Sequence, residues 1–457
     1  MDHTSSMFRE YDIRGVVGAE LTPSFAKRLG YAFGRTLLRV GRHTAILGRD
    51  GRIHSHELAD GVSEGLGAAG VDVEDLGVCI TPAFYWTATV SGAGNGMMVT
   101  GSHNPPEYNG FKCMRDGVTL FGDSLKALAE DMPSDVPVNH STSKVSKRDI
   151  SRSYLDDVST KVVLGPKKLR VVVDCGNGTA GLFAPQLVER LGCQVIPLYC
   201  DLDPTFPHHF PDPVVPENLQ DLARAVTENG ADLGLSYDGD GDRIGVVDDK
   251  GMVIWGDILS ILFWREIILK HPGTPALVEV KSSETVLEEI KRLGGSPTFC
   301  RTGHSLVKAK MKEVGALFAA EMSGHMFFAD EYYGFDDALY ATARLLRILS
   351  SSDKPLSALI TDIPRYHSTP ETRVHCPDHL KWKVVETMRS ELAAVGPVVD
   401  VDGIRVAFDN GWALVRVSNT QPALVLRCEA RTPDALERIK SVLSRALSQF
   451  PYLTLPW

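Results

Sequence analysis

Short apolar runs alternate with amphipathic stretches along most of the chain. Thr22 to Arg42 carries apolar residues at helical spacing, with Thr22 placed to cap and Pro23 in the first turn, and reads as a helix. Ala45 to Leu47 is a short strand ending in Gly48-Arg49-Asp50-Gly51-Arg52. Residues 56 to 69 read as a helix and Val71 to Val78 as a second strand. A further strand-and-helix unit leads to Met97–Val99, the end of a buried strand. The rhythm then returns. Leu169 to Asp174, Gln194 to Tyr199, Leu233 to Tyr237 and Ala276 to Val280 read as strands, and 257 to 269 and Thr285 to Leu293 as helices. Such alternation predicts mainly parallel α/β sheets. The last part differs: strands near 404–408, 412–417 and 423–430, then a helix from Thr432, predict an antiparallel α+β unit. Polar stretches at 133–148 and 350–366 mark boundaries between units.

A chain of 457 residues is too long for one core, so several domains are expected. Hydrophobic residues make up 43% and charged residues 23%, the balance of an ordinary globular protein. The net charge of −10 argues against nucleic acid or an anionic membrane as the main partner. The eight cysteines show no C-x-x-C spacing and read as buried thiols in a reducing compartment. Met1 to Met7 has no apolar core of a signal, and no run approaches the roughly 18 apolar residues of a membrane helix. A cytoplasmic protein is expected.

Chemistry concentrates in four stretches. The first follows the Met97–Val99 strand: Thr100-Gly101-Ser102-His103-Asn104-Pro105-Pro106, continuing to Lys112. Two prolines forbid a helix, so the strand ends in a rigid loop, a usual place to display reactive side chains. Small Gly101 beside Ser102 is read as leaving the hydroxyl approachable. Taken alone, the stretch also fits a turn whose Ser bonds only the backbone. The second is Asp238-Gly239-Asp240-Gly241-Asp242-Arg243. Carboxylates at alternate positions, separated by glycines, can face one point and suit Mg²⁺. An EF-hand would need Gly at Arg243 and Glu at Asp249, and a D-x-D-x-[TV] phosphatase would need Thr or Val at Asp242. The third pairs Arg301-Thr302-Gly303-His304-Ser305 with Glu321-Met322-Ser323-Gly324-His325. Glu321 and Ser323 can accept sugar hydroxyls, and His304, His325 and Lys281 are further polar contacts. The fourth, Arg416-Val417-Ser418-Asn419-Thr420-Gln421-Pro422, lies between two strands and makes a phosphate cradle.

These four stretches, in this order, resemble the phosphoserine, metal, sugar and phosphate loops of the α-D-phosphohexomutase superfamily. The wording is closest to its bacterial phosphomannomutase/phosphoglucomutase branch: Thr-Gly-Ser-His-Asn-Pro and Glu-Met-Ser-Gly-His look like that branch. Phosphoglucosamine mutases, the alternative, more often carry Ala before the serine and Gln where Met322 stands. Gln421 departs from the pattern, which more often has Thr there.

The resemblance implies four domains around a central cleft, three related α/β domains with mixed sheets and a C-terminal α+β domain. The expected spans are 1–148, 149–252, 253–364 and 365–457. It implies reversible conversion of hexose 1-phosphate to hexose 6-phosphate, with mannose and glucose phosphates as substrates. Ser102 carries the phosphoryl group and completes the coordination of Mg²⁺ on Asp238, Asp240 and Asp242, and a hexose 1,6-bisphosphate is both intermediate and activator. Arg14, Lys112 and Arg243 balance the charge. Three Asp and a phosphoserine give about −5, and Mg²⁺ with those three cations about +5. Lys112 and His103 are alternative acid/base groups. Tyr11 joins the substrate contacts, and a monomer is implied. One competing motif is weighed against this. Gly176, Gly178 and Gly181 fit G-x-G-x-x-G after a strand, with Asp201 about 20 residues on, at the end of the next strand, as in a dinucleotide-binding unit. Beside four ordered motifs it is read as a tight strand-to-helix turn.

Overall fold

In a computed structural model, which describes residues 7–137, 143–418, 421–455 and 457, the chain builds four sheets. The opening helix, Pro23–Arg39, forms as its sequence predicts. The Thr22 hydroxyl accepts from the Phe25 amide at 3.1 Å, Pro23 stands at the first turn, and Phe25, Leu29, Phe33 and Leu37 face inward. It crosses helix Ser55–Ala69 closely because Gly30 and Gly65 meet backbone. A Cβ on Gly65 would lie 2.1 Å from the Lys27 carbonyl oxygen.

The first three sheets share one plan. In the first, strand Thr44–Arg49 pairs in parallel with Asp72–Val78 on one side and Gly96–Val99 on the other, and Gly96–Val99 pairs antiparallel with Tyr108–Arg115. In the second, Arg170–Asp174 pairs in parallel with Gln194–Leu198 and Leu233–Tyr237, and Leu233–Tyr237 pairs antiparallel with Ile244–Asp248. In the third, Pro275–Glu279 pairs in parallel with Ser296–Cys300 and Phe318–Ala320, and Phe318–Ala320 pairs antiparallel with Met326–Phe328. The fourth sheet, with Ala423–Ala430, Gly411–Val417 and Ile404–Phe408 at its centre, is antiparallel.

Two expectations need correction. The first three sheets are mixed, as the resemblance implied, and not mainly parallel as the alternation alone predicted. Each ends its parallel set in a hairpin whose last strand is buried almost throughout, so those strands show no polar alternation to read. The polar stretches are also not simply linkers. Val145–Lys147 is an edge strand on Asp72–Val78, and Leu356, Ile360 and Ile363 are buried in the core. Residues 138–142 of the first stretch lie outside the described residues. Helix Asp378–Ala393, packed in the last unit, was not foreseen.

One apolar core runs continuously from Phe84 under the first sheet, through Tyr154 and Val173, to Leu345 and Leu349 behind the third. The fourth unit has its own core, built on Val384, Val415, Leu426 and Leu443. It meets the third sheet through the small cluster Val280, Trp412 and Leu414. Polar pins reinforce that joint. Arg405 donates to the carbonyls of Val280 (2.6 Å) and Ser282 (2.8 Å), with its guanidinium 3.7 Å from the Trp412 ring centroid. No helix among the described residues is long and apolar enough to cross a membrane.

Candidate active site

The shared plan places the motifs. In each of the first three sheets, the hairpin after the third strand carries one of them. Ser102 lies between Gly96–Val99 and Tyr108–Arg115, Asp238 to Asp242 between Leu233–Tyr237 and Ile244–Asp248, and Glu321 to His325 between Phe318–Ala320 and Met326–Phe328. Loops at the carboxyl ends of such strands are where α/β sheets bind ligands.

The Ser102 loop is held from inside by Arg52. Its guanidinium donates to the carbonyls of Ser102 (2.8 Å), Pro105 (2.7 Å), Tyr108 (3.1 Å) and Asn104. Asp50 accepts from the Gly101 amide at 2.9 Å, and the Thr100 hydroxyl accepts from the Ser102 amide at 2.9 Å. Gly101 serves this packing rather than access to the hydroxyl. A Cβ there would lie 2.4 Å from Arg52 Nε, and Ser102 itself is only 3% exposed. Ser102 adopts a left-handed φ of 48°, a strain that persists only where surroundings over-determine it. Its hydroxyl donates to Asp238 Oδ2 at 2.7 Å and lies 3.1 Å from His103 Nδ1.

Asp238, Asp240 and Asp242 are fully buried, and one oxygen from each lies within 4.8 Å of the others. Asp240 Oδ2 accepts from Thr81 (2.6 Å), Thr100 (3.1 Å) and Lys112 Nζ (2.8 Å), and Lys112 also reaches Asp242 Oδ2 at 2.5 Å. Asp240 Oδ1 and Asp242 Oδ1 have no hydrogen-bond partner among the described residues. Buried carboxylate oxygens without partners are costly, and these two sit where a hard cation would take them up. The residues therefore fit a divalent metal. Burial, then Asp242 and Asp240, push the Asp238 carboxyl well above its usual range. Burial alone would push the Lys112 ammonium down, but Asp240 and Asp242 outweigh it and hold it well above its ordinary value. Burial beside Arg243 and Arg14 pushes His103 well below its ordinary value, so the ring is neutral. Arg14 also bonds Asp12 at 2.5 Å.

The carboxylate loop and the Glu321–His325 loop are stitched together. Residues 243 and 325 form a β-bridge, the Ile244 amide donates to the Gly324 carbonyl at 3.1 Å, and Arg243 Nε donates to His325 Nε2 at 3.0 Å. His325 Nδ1 lies 3.1 Å from Asp336 Oδ2, which Lys308 neutralises from the other oxygen at 2.8 Å. His304 stacks 5.7 Å from His325 and edge-on to Tyr11 at 5.5 Å. Burial, then Lys308, pushes His304 well below its ordinary value. Glu321 accepts from the Gly303 amide at 2.6 Å through Oε1, and Oε2 has no hydrogen bond among the described residues. Ser323 is half-buried in the same turn. Buried Glu279 organises both the Arg301–Ser305 and the Glu321–His325 stretches, accepting from the Thr302 hydroxyl (2.7 Å) and the Met322 amide (2.8 Å). Lys281 lies between Glu279 (3.2 Å) and Glu371 (2.9 Å).

In the fourth unit, Arg416 is buried and paired with Asp402 at 3.0 Å from Nε and 2.9 Å from Nη2. Asp402 also accepts from the Thr302 amide at 3.1 Å, so it ties the Arg416 stretch to the Arg301–Ser305 stretch. The Ser418 hydroxyl accepts from the Gln421 amide at 3.2 Å. Asn419 and Thr420 lie outside the described residues. Gln421, the departure from the expected Thr, accepts from Arg373 at 2.9 Å.

Sequence reasoning missed Asp50, Arg52, Glu279, Asp336 and Asp402, all buried charges that hold the motifs rather than sit in them. Only Arg52 left a signal, as the second arginine of a glycine-bearing strand end. Comparison with known proteins agrees with the geometry. Family models described as phosphoglucomutase/phosphomannomutase alpha/beta/alpha domains I, II and III match residues 5–135, 152–251 and 255–366. The C-terminal domain model of the same family matches 371–446. A phosphomannomutase/phosphoglucomutase of Pseudomonas aeruginosa is 44% identical over 97% of this chain and 96% of its own. A phosphoglucomutase of Neisseria gonorrhoeae is 41% identical over 99% of both. The crystal structure of a phosphoglucomutase/phosphomannomutase family protein from Burkholderia thailandensis covers 100% of each chain at 40% identity, with a TM-score of 0.93. Matched from the strained serine's domain to the arginine cradle by all four of its domain models, the chain belongs to the phosphoglucomutase/phosphomannomutase family.

Proposed function

We propose that the protein is a phosphomannomutase/phosphoglucomutase, an intramolecular phosphotransferase that interconverts hexose 1-phosphates and hexose 6-phosphates of mannose and glucose. The observation that carries this reading is the Ser102 hydroxyl, 2.7 Å from Asp238 in a buried carboxylate triad with two unpartnered oxygens. Phosphorylated Ser102 donates its phosphoryl group to the free hydroxyl of the bound sugar phosphate. The P–Oγ bond breaks as the new P–O bond forms, giving a hexose 1,6-bisphosphate. That intermediate turns over in the cleft, and the other phosphoryl group returns to Ser102.

Mg²⁺ held by Asp238, Asp240, Asp242 and the Ser102 phosphate supplies neutralisation of the phosphoryl oxygens. Lys112 is held as an ammonium by two carboxylates, so it neutralises charge rather than exchanging protons. His103, neutral and 3.1 Å from Oγ, exchanges the proton that Ser102 gains and loses. Arg14 and Arg243 add positive charge around the reacting group. Glu321, through its free Oε2, and Ser323 hold O3 and O4, which glucose and mannose share, so both sugars fit. Tyr11, Lys281, His304 and His325 line the sugar, and Arg416 with Ser418, Asn419 and Thr420 grips the phosphate that is not reacting. That requires Arg416 to loosen from Asp402 as phosphate arrives. We further propose domains at 1–148, 149–252, 253–364 and 365–457, a monomer and a cytoplasmic setting.

The test is ³¹P NMR with Mg²⁺, a trace of glucose 1,6-bisphosphate, and mannose 1-phosphate or glucose 1-phosphate. The wild type converts both to the 6-phosphates, and Ser102→Ala converts neither while its circular dichroism is unchanged. Turnover by Ser102→Ala near the wild-type rate would overturn the mechanism. Activity only on glucosamine 6-phosphate would move the substrate to the amino sugar.

A further inference from the structure

Strands Arg170–Asp174 and Gln194–Leu198 run side by side, with Asp174 opposite Leu198, and each releases a cysteine just past its end. The Cys175 amide still donates to the Leu198 carbonyl at 3.2 Å. Tyr199 takes a left-handed φ of 51°, which turns the chain so that Cys200 comes back over Cys175. The two sulfurs lie 3.6 Å apart and share a hydrogen bond. Neighbouring strands are about 4.8 Å apart, within reach of the Cα separations that a disulfide spans. Cys200 alone among the eight cysteines is not buried. We propose that Cys175 and Cys200 form an oxidation site that takes a hydroperoxide and closes to a disulfide.

The two thiols have different parts. The contact with Cys175 pushes the Cys200 thiol below its ordinary value, while burial pushes Cys175 well above. Cys200, the more exposed, is therefore the attacking thiolate. Its sulfur bonds the outer peroxide oxygen, the O–O bond breaks, and the alcohol (water, for hydrogen peroxide) leaves with a proton. Cys175 then attacks the sulfenic sulfur. The S–S bond forms, the S–O bond breaks, and water leaves with the second proton. Two thiols lose two electrons to one hydroperoxide, and nothing else is consumed. The bridge would lie at the foot of the turn Gly176–Gly181, whose Thr179 amide donates to the Gly239 carbonyl of the carboxylate loop at 3.0 Å.

The experiment uses the full chain, reduced with dithiothreitol, freed of it, and exposed to hydrogen peroxide. Thiols are counted after denaturation and disulfides mapped by peptide mass spectrometry. Two of the eight thiols should disappear, the bridged peptide should be Cys175–Cys200, and dithiothreitol should restore both. In Cys175→Ser, Cys200 should stop at a sulfenic acid that dimedone traps. Eight surviving thiols in the wild type, a disulfide between any other pair, or Cys200 overoxidised beside a free Cys175 would overturn the proposal, whether or not the variant folds.

Discussion

Lys112 is a buried cation with two carboxylate partners in the site, Asp240 and Asp242. Removing one partner of a buried ion pair costs about 3–5 kcal/mol, because the other charge is left uncompensated. Lys112→Met should therefore melt well below the wild type in a chelator. Saturating Mg²⁺ should raise its melting temperature by more than it raises the wild type's, because a cation then supplies the missing charge. Equal Mg²⁺ shifts in thermal denaturation of the two proteins would contradict this account. Residues of this kind were readable in the sequence only by kind. Asp238, Asp240, Asp242 and Ser102 announce themselves by spacing. Asp402, about a hundred residues from its partner Thr302, has no local pattern to announce it.

At the scale of elements, the site is made by hairpins pressed against one another. Gly239 is the tightest of these contacts. A Cβ there would lie 2.3 Å from the Ser102 carbonyl oxygen, and the Gly239 carbonyl accepts from Thr179 at 3.0 Å. Gly239→Ala must part the serine loop from the carboxylate loop. We expect it to cost about 1–3 kcal/mol in stability and to lower kcat by at least about tenfold, since phosphoryl transfer depends on placement. An unchanged kcat in steady-state assays would mean the loops have slack there. The parallel strands and the amphipathic helices were legible because their periodicity is strong. The antiparallel strands Tyr108–Arg115, Ile244–Asp248 and Met326–Phe328 were not, being short or buried almost throughout, with no polar alternation.

Across the whole molecule, the first three units are joined by one apolar core and the fourth by a small cluster with cationic pins. That difference is what a fourth unit closing over the proposed substrate would need. The shared core has its own polar junction at Asp337. It accepts from Tyr154 (3.0 Å) and Tyr332 (2.8 Å) and caps helix Ala338–Ser350. Burial pushes this carboxyl up to about 6 from 3.8, although the bonds it accepts favour the ionised form. The folded chain therefore holds this proton more tightly than the unfolded chain. The resulting stability is present in full below pH about 4 and is lost as the pH rises through about 6, roughly 3 kcal/mol at about 1.4 kcal/mol per pKa unit. Asp337→Asn lacks this titration. Measured by thermal melts, the variant should gain on the wild type between pH 4 and pH 7, and a pH-independent difference would refute the assignment.

The sequence by itself determined the local chemistry: which side chains can carry a phosphoryl group, gather a cation, accept sugar hydroxyls or cradle a phosphate, and which segments alternate as strands and helices. Those properties depend on residue type and on spacings of a few positions, which the chain states directly. The resemblance implied three related domains, but only the tertiary structure decided which strands pair and that the third-strand hairpins come to one place. Only there do Arg52, Glu279 and Asp402 prove to hold the motifs, and Cys175 to face Cys200. Those facts rest on contacts between groups far apart along the chain, which close only when the sheets have packed.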